Sequence, residues 1–143
     1  MSKVSILLAD DNPFILDHVR QMLERDEEFR IVASVKDGGR ILQESSQLKP
    51  DVIILDISIG DVSGIDVAAQ LRDSGSHSKI VFLTVHEDSD FLNAAMGAGG
   101  AAYVVKSRLS TDLASAIRAV RAGKLFVSPS MMFTPTMRSG DAG

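Results

Sequence analysis

Five residues have the types and spacing for a reactive site: Asp10, Asp11, Asp56, Thr84 and Lys106. Each stands where a short apolar run gives out. Val4–Ala9 ends at Asp10 and Asp11, Val52-Ile53-Ile54-Leu55 at Asp56, Ile80-Val81-Phe82-Leu83 at Thr84, and Ala102–Val105 at Lys106. Three carboxylates brought together repel one another, which raises pKa values and costs stability. A hard divalent cation relieves that repulsion, and Mg²⁺ is commonly held by one or two carboxylates together with phosphate oxygens and water. A lysine adds a mobile point charge suited to a phosphoryl oxygen, and a threonine hydroxyl can donate to another. Aspartate serves as a nucleophile in covalent phosphoryl chemistry. The set therefore suits Mg²⁺-assisted phosphoryl transfer to a carboxylate, one of the aspartates being the nucleophile.

The surrounding sequence supplies elements to position these residues. Asn12-Pro13 is a cap residue followed by proline at the first helical position, and Phe14, Leu16, Val19, Met22 and Leu23 recur at helical spacing. Phe29–Val35 predicts a second strand; Gly38-Gly39 opens a helix with Ile41, Leu42 and Leu48, stopped at Lys49-Pro50-Asp51. The unbroken apolar run 52–55 marks a strand covered on both faces. A loop with Gly60 and Gly64 then leads to a third helix, Phe91–Met96 marks a fourth, and Leu113–Val120 a fifth ending near Gly123. The glycines at 97, 99 and 100 follow a helix and read as its C-terminal cap. Five β-α units predict an α/β fold, a flavodoxin-like (βα)5 doubly wound parallel sheet of strand order 2-1-3-4-5. In that order the switch point falls between strands 1 and 3, where the three aspartates arise. Residues 3–126 are expected to form one domain and residues 127–143, including Met131-Met132-Phe133, a flexible tail or the start of a linker.

Composition narrows the alternatives. The chain has 143 residues, no cysteine and a net charge of −4, so one domain is expected, without disulfides or thiolate chemistry. The acidic balance argues against nucleic-acid binding through a large basic face. No apolar run is long enough for a membrane span and the first residues lack a signal-peptide layout, so a cytoplasmic location is expected. There is no G-x-G-x-x-G after the first strand and no P-loop, which disfavours a dinucleotide or flavin binder. A hydrolase using an aspartyl-phosphate typically carries a second aspartate two residues after the nucleophile; here that residue is Ser58.

Leu-Ala-Asp-Asp-Asn-Pro (8–13), Asp56 followed by Gly64, Leu-Thr-Val-His-Glu (83–87) and Ala-Tyr-Val-Val-Lys (102–106) together resemble the receiver domains of two-component response regulators, in their NarL/FixJ (LuxR-type) branch, over about residues 3–126. The resemblance implies that Asp56 is the phospho-acceptor and that Asp11 binds Mg²⁺ directly with Asp10 acting largely through water. It implies that the Ser58 backbone carbonyl completes the metal site. Thr84 and Lys106 would engage the phosphoryl group, and Tyr103 would be an aromatic switch that turns inward on activation. It further implies a phospho-accepting switch rather than an enzyme, a sensor histidine kinase as partner, homodimers through helices 1 and 5 or helices 4 and 5 with strand 5, and DNA binding only through a C-terminal effector domain if one exists.

The sequence departs from that pattern in places. Ser107 follows Lys106 where proline is usual, leaving the peptide between them open to either isomer, with cis costly. Gly60 replaces a common proline and loosens its loop, and Val85 replaces a small residue, where it would narrow the path to Asp56. His86, just past Thr84, is placed to tune dephosphorylation, together with Ser58 and Val85. Val85 also keeps a second reading open, a phosphorylation-independent interaction module on a degenerate receiver fold.

Overall fold

A computed structural model describes residues 3–132. Strand β1 (Val4–Ala9) runs into helix α1 (Pro13–Glu24), whose N-terminus is capped by the Asn12 side chain accepting from the Phe14 N–H with Pro13 in the first turn. Strand β2 (Phe29–Val35) leads through a tight turn at Gly38–Arg40 into α2 (Ile41–Leu48). Helix α2 ends at Lys49 in a left-handed conformation (φ 47°), because Pro50 follows and cannot continue a helix. Strand β3 (Val52–Leu55) is buried throughout.

After β3 the chain makes a two-residue-per-arm hairpin, β4 (Ser58–Ile59) against β5 (Val62–Ser63), before α3 (Gly64–Asp73). Gly60 takes the first central position of the turn at φ 61°, which a side chain would strain. The expected loop is therefore a structured hairpin. Strand β6 (Lys79–Thr84), α4 (Ser89–Gly97), β7 (Gly100–Val105) and α5 (Leu109–Arg121) complete the alternation. The main sheet is parallel, in the order β2-β1-β3-β6-β7-β8, where β8 is Phe126–Val127. Its first five members reproduce the expected 2-1-3-4-5 order, giving the flavodoxin-like doubly wound fold.

The sixth strand, β8 (Phe126–Val127), and a short helix α6 (Pro129–Met132) correct the expectation of a flexible segment from residue 127. Phe126 and Val127 pair in parallel with Ala102 and Tyr103, and Ser128 and Met131 are buried. The apolar run Leu125-Phe126-Val127 is too short to signal a strand by itself; the open edge of β7 makes this one. Residues 133–143 lie outside the described part, and with them Phe133 of the anticipated tail.

Alternate residues of the strands serve two cores. Ile6, Leu8, Ile54, Val81 and Val104 face α1 and α5, with Leu16, Val19, Leu113 and Ile117. Leu7, Ile53, Leu55, Phe82 and Tyr103 belong to the other core, with Ile41, Val67, Leu71 and Ala95 of α2, α3 and α4. Two expected apolar positions are exceptions: Phe14 is 84% exposed and Leu48 42% exposed. No helix among the described residues is long and apolar enough to cross a membrane.

Candidate functional site

Parallel pairing of Ala9 with Leu55 brings the two strand ends level, so Asp10 and Asp56 emerge side by side. Pairing of Leu55 with Phe82 and of Thr84 with Val105 adds Thr84 and Lys106 at the same edge. Carboxylate oxygens of Asp10, Asp11 and Asp56 all lie within 4.8 Å of one another, an acidic pocket able to hold a metal ion. Asp10 and Asp56 are buried and Asp11 is exposed at the mouth. Lys106 Nζ bridges the buried pair, donating to Asp56 Oδ2 at 2.9 Å and lying 2.8 Å from Asp10 Oδ2.

The backbone fixes the carboxylates from the other side. Asp10 accepts from the Asn12 N–H at 2.8 Å and Asp56 from the Ser58 N–H at 3.3 Å. Asp11 accepts from the Gly60 N–H at 2.9 Å, so the hairpin turn is tied directly to the acidic cluster. Gly64 presses on Asp56: a Cβ there would stand 1.9 Å from the Asp56 carbonyl oxygen. Only glycine fits that approach. Val62 of the same hairpin fills the space over Gly38, whose own Cβ would meet it at 2.6 Å.

Electrostatics follow from burial. Burial pushes the Asp10 carboxyl above its usual range; Lys106 and the Asn12 N–H oppose this, and the Asp56 charge adds to it. Burial pulls the Lys106 ammonium down, but the carboxylates of Asp10 and Asp56 outweigh it and the net shift is upward. Asp10 Oδ2 is buried, and its charged partner is the Lys106 ammonium at 2.8 Å. When ionised, three carboxylates against one ammonium leave an excess of two negative charges. An all-oxygen donor set of that charge fits a hard divalent cation.

The remaining expected residues divide. Thr84 is wholly buried and its Oγ1 accepts from the His86 N–H at 3.1 Å. Ser58 sits in β4, exposed, two residues from Asp56. Val85 is 67% exposed on the loop beyond β6. The His86 ring stacks on Phe91 of α4, centroids 4.0 Å apart. The Tyr103 ring is fully buried, its hydroxyl donating to the His86 carbonyl at 2.9 Å. Burial first, then the Asp88 charge, raise its pKa to about 12. The described residues contain no cis peptide, so Lys106–Ser107 is trans, leading into a tight turn at Lys106–Arg108.

Residues 6–118 match the family described as the response regulator receiver domain. This chain belongs to that family. The receiver is 32% identical over 129 residues to a nitrate/nitrite response regulator protein homolog of Haemophilus influenzae, covering 90% of this chain and 62% of the relative. It is 30% identical over 122 residues to the transcriptional regulatory protein YxjL of Bacillus subtilis, covering 85% of this chain and 56% of that one. The receiver thus spans about three fifths of the length of these relatives. Among solved structures, a LuxR-family two-component response regulator from Aurantimonas sp. superposes with a TM-score of 0.90 at 28% identity, covering 96% of this chain and 99% of that one. The isolated receiver domain of RcsB from Salmonella enterica superposes at 0.82 and 28%, covering 91% and 96%.

Two contributors escaped the sequence reading. The Gly60 N–H bond to Asp11 needs the hairpin geometry, which a Gly-Asp pair between two short apolar steps only hints at. The second is a buried pair, Ser128 and Asp112, which hydrogen-bonds to Val105 and Arg108 on either side of Lys106. Its signal was present: Asp112 falls on the apolar face of α5 with Leu109, Leu113 and Ala116.

Proposed function

We propose that this receiver accepts a phosphoryl group on Asp56 from a phosphohistidine of a sensor histidine kinase. The bridging of Asp10 and Asp56 by Lys106 beside Asp11 is the observation that carries this reading. In the transfer an Asp56 carboxylate oxygen forms the new P–O bond, the P–N bond breaks, and the imidazole leaves with the electron pair. Asp11 and Asp56, Asp10 through water, and the Ser58 carbonyl would hold Mg²⁺. The ion supplies neutralisation of phosphoryl oxygens in a loose, highly charged transition state. Lys106 releases one carboxylate contact to pair with the incoming phosphoryl group, and Thr84, freed from the His86 N–H, donates its hydroxyl to it. Ser58, Val85 and His86 at the rim tune access and the lifetime of the acyl phosphate.

The output is a change in the face around α4, β7 and α5. Tyr103 links β7 to the loop carrying His86, so movement of Thr84 is felt at that hydrogen bond. The partners are a kinase and a second copy of the receiver, in the cytoplasm, and the response is regulation of transcription, with DNA contacted through an effector domain rather than through these residues. Mg²⁺ titration followed by melting tests the site: linkage gives about 2.7 kcal/mol of stabilisation at 100 times the dissociation constant. Asp11→Ala abolishes most of that shift. A melting temperature indifferent to excess Mg²⁺ would remove the metal from the account.

A further inference from the structure

Lys106 stands on a turn that has no cap of its own. Neither the tight turn Lys106–Arg108 nor the start of α5 has a capping side-chain hydrogen bond. The turn is closed from behind instead. Strand β8 ends at Val127, and the next hydrogen-bonding position on β7, the Val105 N–H, finds no strand partner. The Ser128 hydroxyl takes its place, accepting from the Val105 N–H at 3.1 Å. The same hydroxyl donates to Asp112 Oδ2 at 2.8 Å. Asp112 in turn accepts from Arg108 Nε at 3.0 Å and from the second guanidinium nitrogen at 3.4 Å. The Ser128 N–H donates to the Tyr103 carbonyl at 2.8 Å. The residues flanking the lysine turn, Val105 before it and Arg108 at its end, are thus held by one hydrogen-bonded pair.

We infer that Ser128 and Asp112 are positioning residues for Lys106, and that the segment 126–132 is a working part of the phospho-acceptor site. Resting on the proposed phosphorylation of Asp56, this adds residues remote from the reacting atoms. Ser128 is wholly buried and Asp112 is 4% exposed. A buried carboxylate carries a desolvation cost that an apolar residue would avoid, and fixing one geometry is the return such a group can give. The geometry fixed here is the direction in which Lys106 leaves β7. The coupling is reciprocal: whatever pulls Lys106 toward a phosphoryl group changes the docking of 126–132, and whatever pulls that segment away loosens Lys106.

A double-mutant cycle separates positioning from plain structural support. Ser128→Ala is combined with Lys106→Ala, and initial rates of phosphoryl gain from acetyl phosphate with Mg²⁺ are measured with melting temperatures. Ser128→Ala is expected to slow the Lys106 protein by about 10-fold, since misplacement by about 1 Å costs up to 100-fold. In the Lys106→Ala background it should change the residual rate by less than about twofold, the scatter of additive effects. Ser128→Thr, which keeps the hydroxyl, should recover most of the loss. Equal losses in both backgrounds, or no loss in either, overturns the inference. If Ser128→Ala does not fold, Asp112→Asn is held to the same pattern. An independent arm uses NMR of the unphosphorylated protein. The carbon shifts of Lys106 Cε and of the Asp56 carboxylate should move in Ser128→Ala, and unmoved shifts overturn the inference. A wild-type receiver that gains no phosphoryl group refutes the proposed function, and the NMR arm still decides on Ser128.

Discussion

Replacing Gly64 by alanine puts a methyl carbon 1.9 Å from the carbonyl oxygen of Asp56 and 2.9 Å from its carbonyl carbon. Ordinary contact begins at 3.4 Å, so the two must separate by 3.4 − 1.9 = 1.5 Å. Neither side yields easily. Gly64 opens α3 and its N–H donates to the Ile57 carbonyl at 2.6 Å, while Asp56 hangs from the Ala9 carbonyl through its own N–H at 3.0 Å. Overpacking of this kind costs about 1–3 kcal/mol, and in a domain of this size each kcal/mol lowers the melting temperature by about 4 °C. The larger effect falls on chemistry, because the displaced atom belongs to Asp56, the proposed acceptor; a shift of about 1 Å is worth up to about 100-fold in rate. Gly97→Ala is the control: it is helical, with nothing within 4 Å of the added carbon, and is expected to be neutral or stabilising by about 0.5–1 kcal/mol. Thermal melts and acetyl phosphate labelling of the three proteins decide the matter. If Gly64→Ala melts within about a degree of wild type and labels at the wild-type rate, the hairpin is plastic and the close-contact argument is refuted.

Three further outcomes are expected. The chain has one tyrosine and no tryptophan, so absorbance at the tyrosinate band reads Tyr103 alone, with a midpoint of about 12; a midpoint near 10 would show that the ring is not buried. Its folded pKa is raised, so it contributes stability that is complete below pH about 10 and lost as pH rises toward 12, about 2–3 kcal/mol in all. Lys106, also raised, adds to the loss at that alkaline end, and Tyr103→Phe should remove only the tyrosine part of the melting decline. Lys106→Ala leaves Asp10 and Asp56 buried without their cation and should destabilise the metal-free protein by roughly 3 kcal/mol, with excess Mg²⁺ restoring part of it; unchanged melting would mean the ion pair contributes nothing net. Val85→Ala should raise the labelling rate if Val85 narrows the approach to Asp56, and an equal or lower rate would dismiss that gating.

Much of this architecture is legible in the chain because the signals are local and repeated. Short, fully apolar, largely β-branched runs such as Val52–Leu55, bounded by turn residues, read as buried strands of a parallel sheet, and once the strand order follows, Asp10, Asp56, Thr84 and Lys106 share one edge. Features made by tertiary contact were hidden. Phe126-Val127 becomes a strand only because β7 offers it an open edge, and Ser128 is held in the interior by Tyr103 and Val105 of β7 and by Asp112 of α5. Tyr103 could be placed on its strand but not in its rotamer, which depends on the carbonyl of His86 in a loop whose path no periodicity encodes. Val85 reads as an obstacle by residue type, yet its exposure is set by the turn between β6 and α4.

Mapping the phosphoryl group tests the central claim most directly. Acetyl phosphate and Mg²⁺ are added to wild type and to Asp56→Asn, and the intact mass and the modified peptide are read for each. The expected result is a single phosphoryl group on Asp56, dependent on Mg²⁺, and no gain in Asp56→Asn. A group found on any other residue, or the same gain in Asp56→Asn, would contradict it.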